Sequence, residues 1–159
     1  MISTRLATAD DAREAVAVLR RSITELCALD HQNDRATLER WLANKTAEHF
    51  VRWLDDPTGH YLVACSGAAI AGVAAFRGLG EICLCYVHPD CVRSGVGRAL
   101  LSALETEASR RGFGELTLRS SLTARAFYES SGYAPSGDPV PLFGVLCGYP
   151  YAKRLGVSG

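Results

Sequence analysis

The stretch His88 to Leu101, "HPDCVRSGVGRALL", sets two glycines and two arginines between a proline turn and an apolar helical run. A helix start exposes N–H groups that have no intrahelical partner and carries the positive end of the helix dipole. Glycines let the oxygens of an anion come close to that backbone. Arg93 and Arg98 flank the turn and add charge-assisted donors to the same place. The run Val92, Arg93, Ser94, Gly95, Val96, Gly97 and Arg98 is therefore the candidate anion cradle. Two nucleotide patterns compete and fail. A P-loop needs G-x-x-x-x-G-K-[ST], but Gly95 and Gly97 are two apart and no Lys-Ser/Thr follows. A dinucleotide fingerprint needs a third glycine where Leu100 stands.

Other reactive side chains take simpler readings. The six cysteines, Cys27, Cys65, Cys83, Cys85, Cys91 and Cys147, fit neither a C-x-x-C metal pair nor a dense disulfide framework. Cys83 and Cys85 are two apart on an expected strand, so both are expected on one face as small core side chains, and no metal is expected. His88 and Cys91 are close in sequence near a helix start, yet no third group that would orient such a pair is visible. A polar interhelical loop explains Asp30, His31 and Asp34 at least as well as a metal site does.

The elements that must position these residues are legible from periodicity. "ISTRLA" reads as a strand, and Thr8, Asp10 and Asp11 open a helix whose apolar stripe, Val16, Leu19, Ile23, Leu26 and Cys27, runs to about Ala28. "LDHQND" breaks it. Helical pattern resumes in one or two pieces up to Pro57, with Leu38, Trp41 and Leu42 and then Phe50, Trp53 and Leu54. Three strands follow, "HYLVAC", "AIAGVAAF" and "EICLCYV", separated by glycine turns. After the cradle, Val96, Leu100, Leu101, Leu104 and Ala108 share one helix face, and Gly112 stops the helix. "ELTLRS" is a strand, "LTARAFYESS" a short helix, and two further strands are expected in "DPVPLFGVLCGYPYAKRL".

Composition bounds the partners. At 159 residues, with 17 basic against 17 acidic side chains, the chain is about one domain's worth and has no global field to attract nucleic acid or an acidic membrane. Neither an apolar leader nor a run of roughly 18 apolar residues is present, so one cytoplasmic domain with reduced cysteines is expected.

Two motifs at the right spacing carry a resemblance. "VRSGVG", Val92 to Gly97, behind "YVHPD", is similar to the pyrophosphate loop [Q/R]-x-x-G-x-[G/A] of the GNAT superfamily of acyl-CoA-dependent N-acyltransferases, with Val92 at the usual Gln/Arg position. "ARAFYESSGY", Ala124 to Tyr133, resembles the family's second signature, with Ser121 where Asn is frequent. The hairpin "VACSGAAIAG" looks like its central meander. The resemblance implies an α+β fold, a mixed but mostly antiparallel sheet of about seven strands flanked by about four helices. It also implies transfer of an acetyl group from acetyl-CoA to a primary amine of a small molecule or of a protein or peptide by direct attack in a ternary complex. Backbone groups of Cys85 and Val87 would hold the pantetheine arm, Ser121 would contact the coenzyme or the helix start, and Tyr128 would be the general acid. Ala124, Phe127, Tyr128 and Ser131 read equally as the packed face of a short helix. Glu81 is the candidate base, though a solvated strand start explains it too, and positioning alone could suffice. The acceptor site is expected between the first two helices and the closing strands, where Trp41, His49, Phe50, Trp53, Phe143, Tyr149 and Tyr151 either line it or pack as core. Homodimers are common among similar proteins and leave no mark in this sequence. A non-catalytic acyl-CoA sensor and a pure interaction domain are the alternatives.

Overall fold

The structure is a computed structural model that describes residues 1–156. Its chain order is β1 (Ile2–Leu6), α1 (Ala12–Leu26), α2 (Ala28–His31), α3 (Arg35–Leu42), α4 (Ala47–Trp53), β2 (His60–Ser66), β3 (Ala69–Arg77), β4 (Glu81–Val87), α5 (Val96–Arg110), β5 (Glu115–Ser120), α6 (Arg125–Ser130), β6 (Ala134–Pro135), β7 (Val140–Pro141) and β8 (Cys147–Arg154). The strands form one sheet in the order β1-β2-β3-β4-β5-β8-β6, with β7 also on β8. Every pairing is antiparallel except β4 with β5. This is the expected mixed sheet with one strand, β6, beyond the seven expected, and with six helices where about four were expected because the second helical stretch is split into short pieces. β6 and β7 hold two residues each and both end in proline, which has no N–H to extend a ladder.

Both faces of the central strands are covered, which is why β3 reads as an almost unbroken apolar run rather than an alternation. Leu62, Ala64, Ala74 and Phe76 face α5, where Leu100, Leu101 and Leu104 pack on them. Their neighbours Tyr61, Val63, Val73 and Ala75 face α1 and α4, against Val18, Leu19 and Phe50. Gly72 sets how close α5 lies, because a Cβ there would stand 2.7 Å from Val96 Cγ1 and 2.8 Å from Leu100 Cδ1. That close approach draws the start of α5 down to the end of β4.

One irregularity in β4 shapes the site. Ala75 pairs with Leu84 and Phe76 with Ile82, so Cys83 is an extra residue in β4, a bulge that bends the strand. The bulge also corrects the expectation that Cys83 and Cys85 share a face. Cys83 packs with the α1 side and Cys85 with the α5 side.

Candidate active site

β4 and β5 are paired only at Glu81 with Thr117 and Ile82 with Leu118, immediately before the bulge. Beyond it they diverge, and the sheet opens into a wedge. The His88 N–H donates to Ala71 O at 2.8 Å, so His88 and, by alternation, Tyr86 turn their backbone groups toward β3. Those of Cys85 and Val87 then face the wedge. Here a strand edge is left free in the middle of a sheet, so an extended ligand arm has backbone partners without competing for an existing ladder.

The mouth of the wedge is the glycine-arginine loop. Arg93 (φ +60°) and Gly95 (φ +88°) both adopt left-handed backbone, and Gly95 caps α5 without any side-chain cap. Such a conformation at a residue other than glycine is uncommon and costs energy unless its surroundings hold it. The first intrahelical bond runs from Ala99 N–H to Gly95 O at 3.0 Å, which leaves the N–H groups of Val96, Gly97 and Arg98 without helical acceptors. Ser94 points elsewhere, its hydroxyl donating to Cys91 O at 2.5 Å. No acid lies in the first turn of α5. Arg93 and Arg98 have no carboxylate within 4.0 Å among the described residues, so two unpaired cations sit at the positive end of a helix dipole. An anion relieves that arrangement.

Behind the loop lies a cleft of about 870 Å³, lined by Cys85, Val87, Val92, Arg93, Gly95 to Arg98, Ser121 and Phe127 among others, with no acidic side chain in its wall. Phe127 closes it from α6, and a Cβ on Gly97 would stand 2.9 Å from the Phe127 ring. Gly97 is therefore a packing glycine as well as a loop glycine.

A second, smaller cavity of about 140 Å³ lies at the inner end of the wedge and shares Cys85, Tyr86, Ser121 and Ala124 with the cleft. Tyr128 lines it and is 6 % exposed. Burial first, then the neighbouring Cys85 thiol, raises the Tyr128 phenol well above its ordinary range, and burial pushes the Cys85 thiol up to about 12. Both groups hold their protons at neutral pH. Ser121 accepts from Ala124 N–H at 3.1 Å and so serves the start of α6.

The same turn has an anchor that the sequence did not mark. The buried carboxylate of Asp30 on α2 accepts from Leu122 N–H at 2.5 Å, Thr123 N–H at 3.1 Å and the Thr123 hydroxyl at 2.6 Å, tying the entry of α6 to the N-terminal helices. The flanking His31 and Asp34 are also structural. His31 Nδ1 accepts from Asn33 N–H at 3.0 Å while Nε2 lies 3.2 Å from Ile23 O, and Asp34 caps α3 by accepting from Thr37 N–H at 3.1 Å.

Glu81 is not brought to this group. It sits at the paired end of β4, its side chain is 60 % exposed, and its carboxylate is 3.8 Å from Arg77. Four residues of strand, roughly 13 Å, separate it from Cys85. Among the aromatics expected around the acceptor, Trp41 lines the smaller cavity. Phe50 is fully buried core, and Trp53 stacks on Tyr61 with ring centroids 6.4 Å apart. His49 Nδ1 is 2.7 Å from the Thr46 hydroxyl, Phe143 lies under Arg40, and Tyr149 lies under Arg125. Tyr151 donates to Glu129 at 2.6 Å. The remaining wall comes instead from Arg119 on β5 and from Leu142, Leu146, Cys147 and Gly148 at the approach to β8.

The fold as a whole has known counterparts. The family model of the acetyltransferase (GNAT) domain matches residues 25–155, and the chain belongs to that family. A GCN5-related N-acetyltransferase from Rhodopseudomonas palustris superimposes with a TM-score of 0.86 at 29 % identity, covering 96 % of this chain and 95 % of that one. PaiA N-acetyltransferase from Thermoplasma acidophilum, solved in complex with coenzyme A, shares the fold with a TM-score of 0.80 at 18 % identity, over 97 % of this chain and 99 % of that one. An uncharacterized acetyltransferase of Streptococcus pyogenes serotype M1 is 49 % identical over 58 residues, 36 % of this chain. The match spans only 40 to 41 % of the length of such curated relatives. No helix among the described residues is long and apolar enough to cross a membrane.

Proposed function

We propose that the chain is an acetyl-CoA-dependent N-acetyltransferase acting on a primary amine. The observation that carries this reading is the pairing of two unpartnered arginines with three unbonded helix N–H groups at the mouth of an acid-free cleft. The residues present suit the coenzyme. Val92 to Arg98 would hold its diphosphate, and the wedge-facing backbone of Cys85 and Val87 would hold the pantetheine arm as an added strand. The bound thioester supplies the activated acetyl group and a thiolate leaving group. At the inner end of the wedge Tyr128 would donate its proton to the departing sulfur as the amine attacks from the smaller cavity, and the proton that the nitrogen sheds in becoming an amide would pass to water, from which Tyr128 is reprotonated.

Glu81 has no part in this scheme. No carboxylate or imidazole lines the smaller cavity, so an entering ammonium loses part of its hydration and meets no counter-charge, which favours the neutral amine needed for attack. That same absence of a side-chain base favours a second reading, a non-catalytic acyl-CoA sensor. Free-thiol release with acetyl-CoA and a panel of amines separates the two. Transfer is expected for at least one amine, and Tyr128→Phe is expected to lower kcat by about 10² or more, within the usual range for a general acid. Tight acetyl-CoA binding with no thiol release across the panel would select the sensor, and full turnover in Tyr128→Phe would remove the proposed acid.

A further inference from the structure

The smaller cavity has one charged residue in its wall, Arg119, and no acid. Arg119 is exposed at the rim and has no carboxylate within 4.0 Å among the described residues. Gly148 on the neighbouring strand lets it lie flat. A Cβ at Gly148 would stand 3.3 Å from Arg119 Cβ and 3.5 Å from Arg119 Cδ, so the stem of Arg119 crosses β8 where a larger residue would lift it away. Ile82, Leu84, Leu118, Leu142, Leu146 and Trp41 supply the apolar part of the wall, and Ser120, Ser121, Tyr86 and Tyr128 stand beside them with uncharged hydroxyl-bearing side chains. About 140 Å³ holds the volume of roughly five water molecules.

These features discriminate among amines. A polycation such as a polyamine or an aminosugar antibiotic carries further ammonium groups that need acidic partners. Here they would meet the Arg119 cation and no acid at all, and a charge taken out of water without a partner is strongly disfavoured. A small amine whose other end is a carboxylate fits on every count. The amine enters beside Tyr128, the short body lies against Leu118, Leu142 and Leu146, and the carboxylate remains at the wet rim against the planar fork of Arg119. We infer that the acceptor is a small amino acid with an apolar body, and that Arg119 is the residue that selects it by binding its carboxylate. This inference rests on the proposed acetyl transfer at the same site.

The test uses matched pairs that differ by the carboxylate: leucine against isopentylamine, and 5-aminopentanoate against butylamine, with spermidine as the polycation. Acetyl-CoA binding is measured alongside by calorimetry. The carboxylate-bearing member of at least one pair should be favoured in kcat/KM by about tenfold or more, the size expected for a charge-assisted bond at an exposed rim. Arg119→Gln should collapse that ratio to within about threefold through KM rather than kcat, and Arg119→Lys should restore part of it. A wild type that acetylates the bare amines or spermidine equally well, or a ratio that survives Arg119→Gln, would overturn the inference. Coenzyme binding without transfer to any carboxylate-bearing amine would also overturn it while leaving the cleft assignment intact. Loss of coenzyme binding itself would instead refute the reading beneath it.

Discussion

Asp30 offers a sharp test of how the N-terminal helices set up the site. Its carboxylate accepts three hydrogen bonds from Leu122 and Thr123, and it is 5 % exposed. Asp30→Asn keeps the size but turns one acceptor oxygen into an NH₂ group, which then faces donors. At least one of the three bonds is lost and one donor is left opposed. Hydrogen bonds to charged groups contribute about 1.5–3 kcal/mol each, so a destabilisation of about 3 kcal/mol is expected. For a domain of this size each kcal/mol moves Tm by about 2–4 °C, which gives a fall of roughly 6–12 °C. Thermal and urea denaturation followed by circular dichroism would measure it. The turn that Asp30 holds leads directly into Tyr128, so acetyl transfer at a temperature where the variant is folded should fall by tenfold or more in kcat, with acetyl-CoA affinity changed much less. An Asp30→Asn protein within about 0.5 kcal/mol of wild type, with unchanged kcat, would refute the idea that this carboxylate organises the entry of α6.

Gly97→Ala should fold, because the one tight contact of the Cβ is with the far end of the Phe127 ring, Val87 Cγ2 lying at an ordinary 3.6 Å, and the displaced ring has the coenzyme cleft to move into. Calorimetry should then show acetyl-CoA affinity reduced by about tenfold or more with Tm within a few degrees of wild type, and unchanged affinity would contradict the placement of the cleft. Lys45 is buried, with its ammonium donating only to Asn44 at 2.8 Å, and burial pushes its pKa down from 10.5 to about 8. Between pH 8 and 10.5 the unfolded chain holds a proton that the folded chain has shed, so wild-type stability should rise with pH across that window. The cost is fully present below pH 8. There Lys45→Met should be more stable by up to about 3 kcal/mol and should lack the rise, as denaturant titrations at pH 7 and pH 10 would show. A rise that persists in Lys45→Met would assign it to another group.

Most of the scaffold was legible because periodicity records which faces are buried. The stripe Val96, Leu100, Leu101, Leu104 and Ala108 is the buried face of α5, and the three apolar strands pair in the meander expected of them. The loop was legible too, since glycine and arginine types report backbone freedom and charge directly. What was hidden depends on partners distant in sequence. The Cys83 bulge arises from the register of β4 against β3, and no residue in "EICLCYV" signals it, so strand alternation alone puts Cys83 and Cys85 on one face where the structure separates them. Glu81 had the right residue type at a strand start. Only the short β4–β5 pairing shows that this start lies at the closed end of the wedge. Asp30 reaches a turn more than 90 residues away, and Arg119 reads in "ELTLRS" as an ordinary solvated strand residue. Of the seven rings expected either to line the acceptor site or to pack as core, Trp41 alone lines the smaller cavity and Phe50 and Tyr151 are buried, because helical spacing encodes burial and not which cavity a ring meets.

The central claim is that main-chain amides at the start of α5 hold the coenzyme's diphosphate. A crystal structure of the full chain with coenzyme A tests it most directly. Diphosphate oxygens within about 3.2 Å of the N–H groups of Val96, Gly97 or Arg98, with the Arg93 or Arg98 guanidinium alongside, are the predicted result. Coenzyme bound elsewhere, with that helix start touching only solvent, would contradict it.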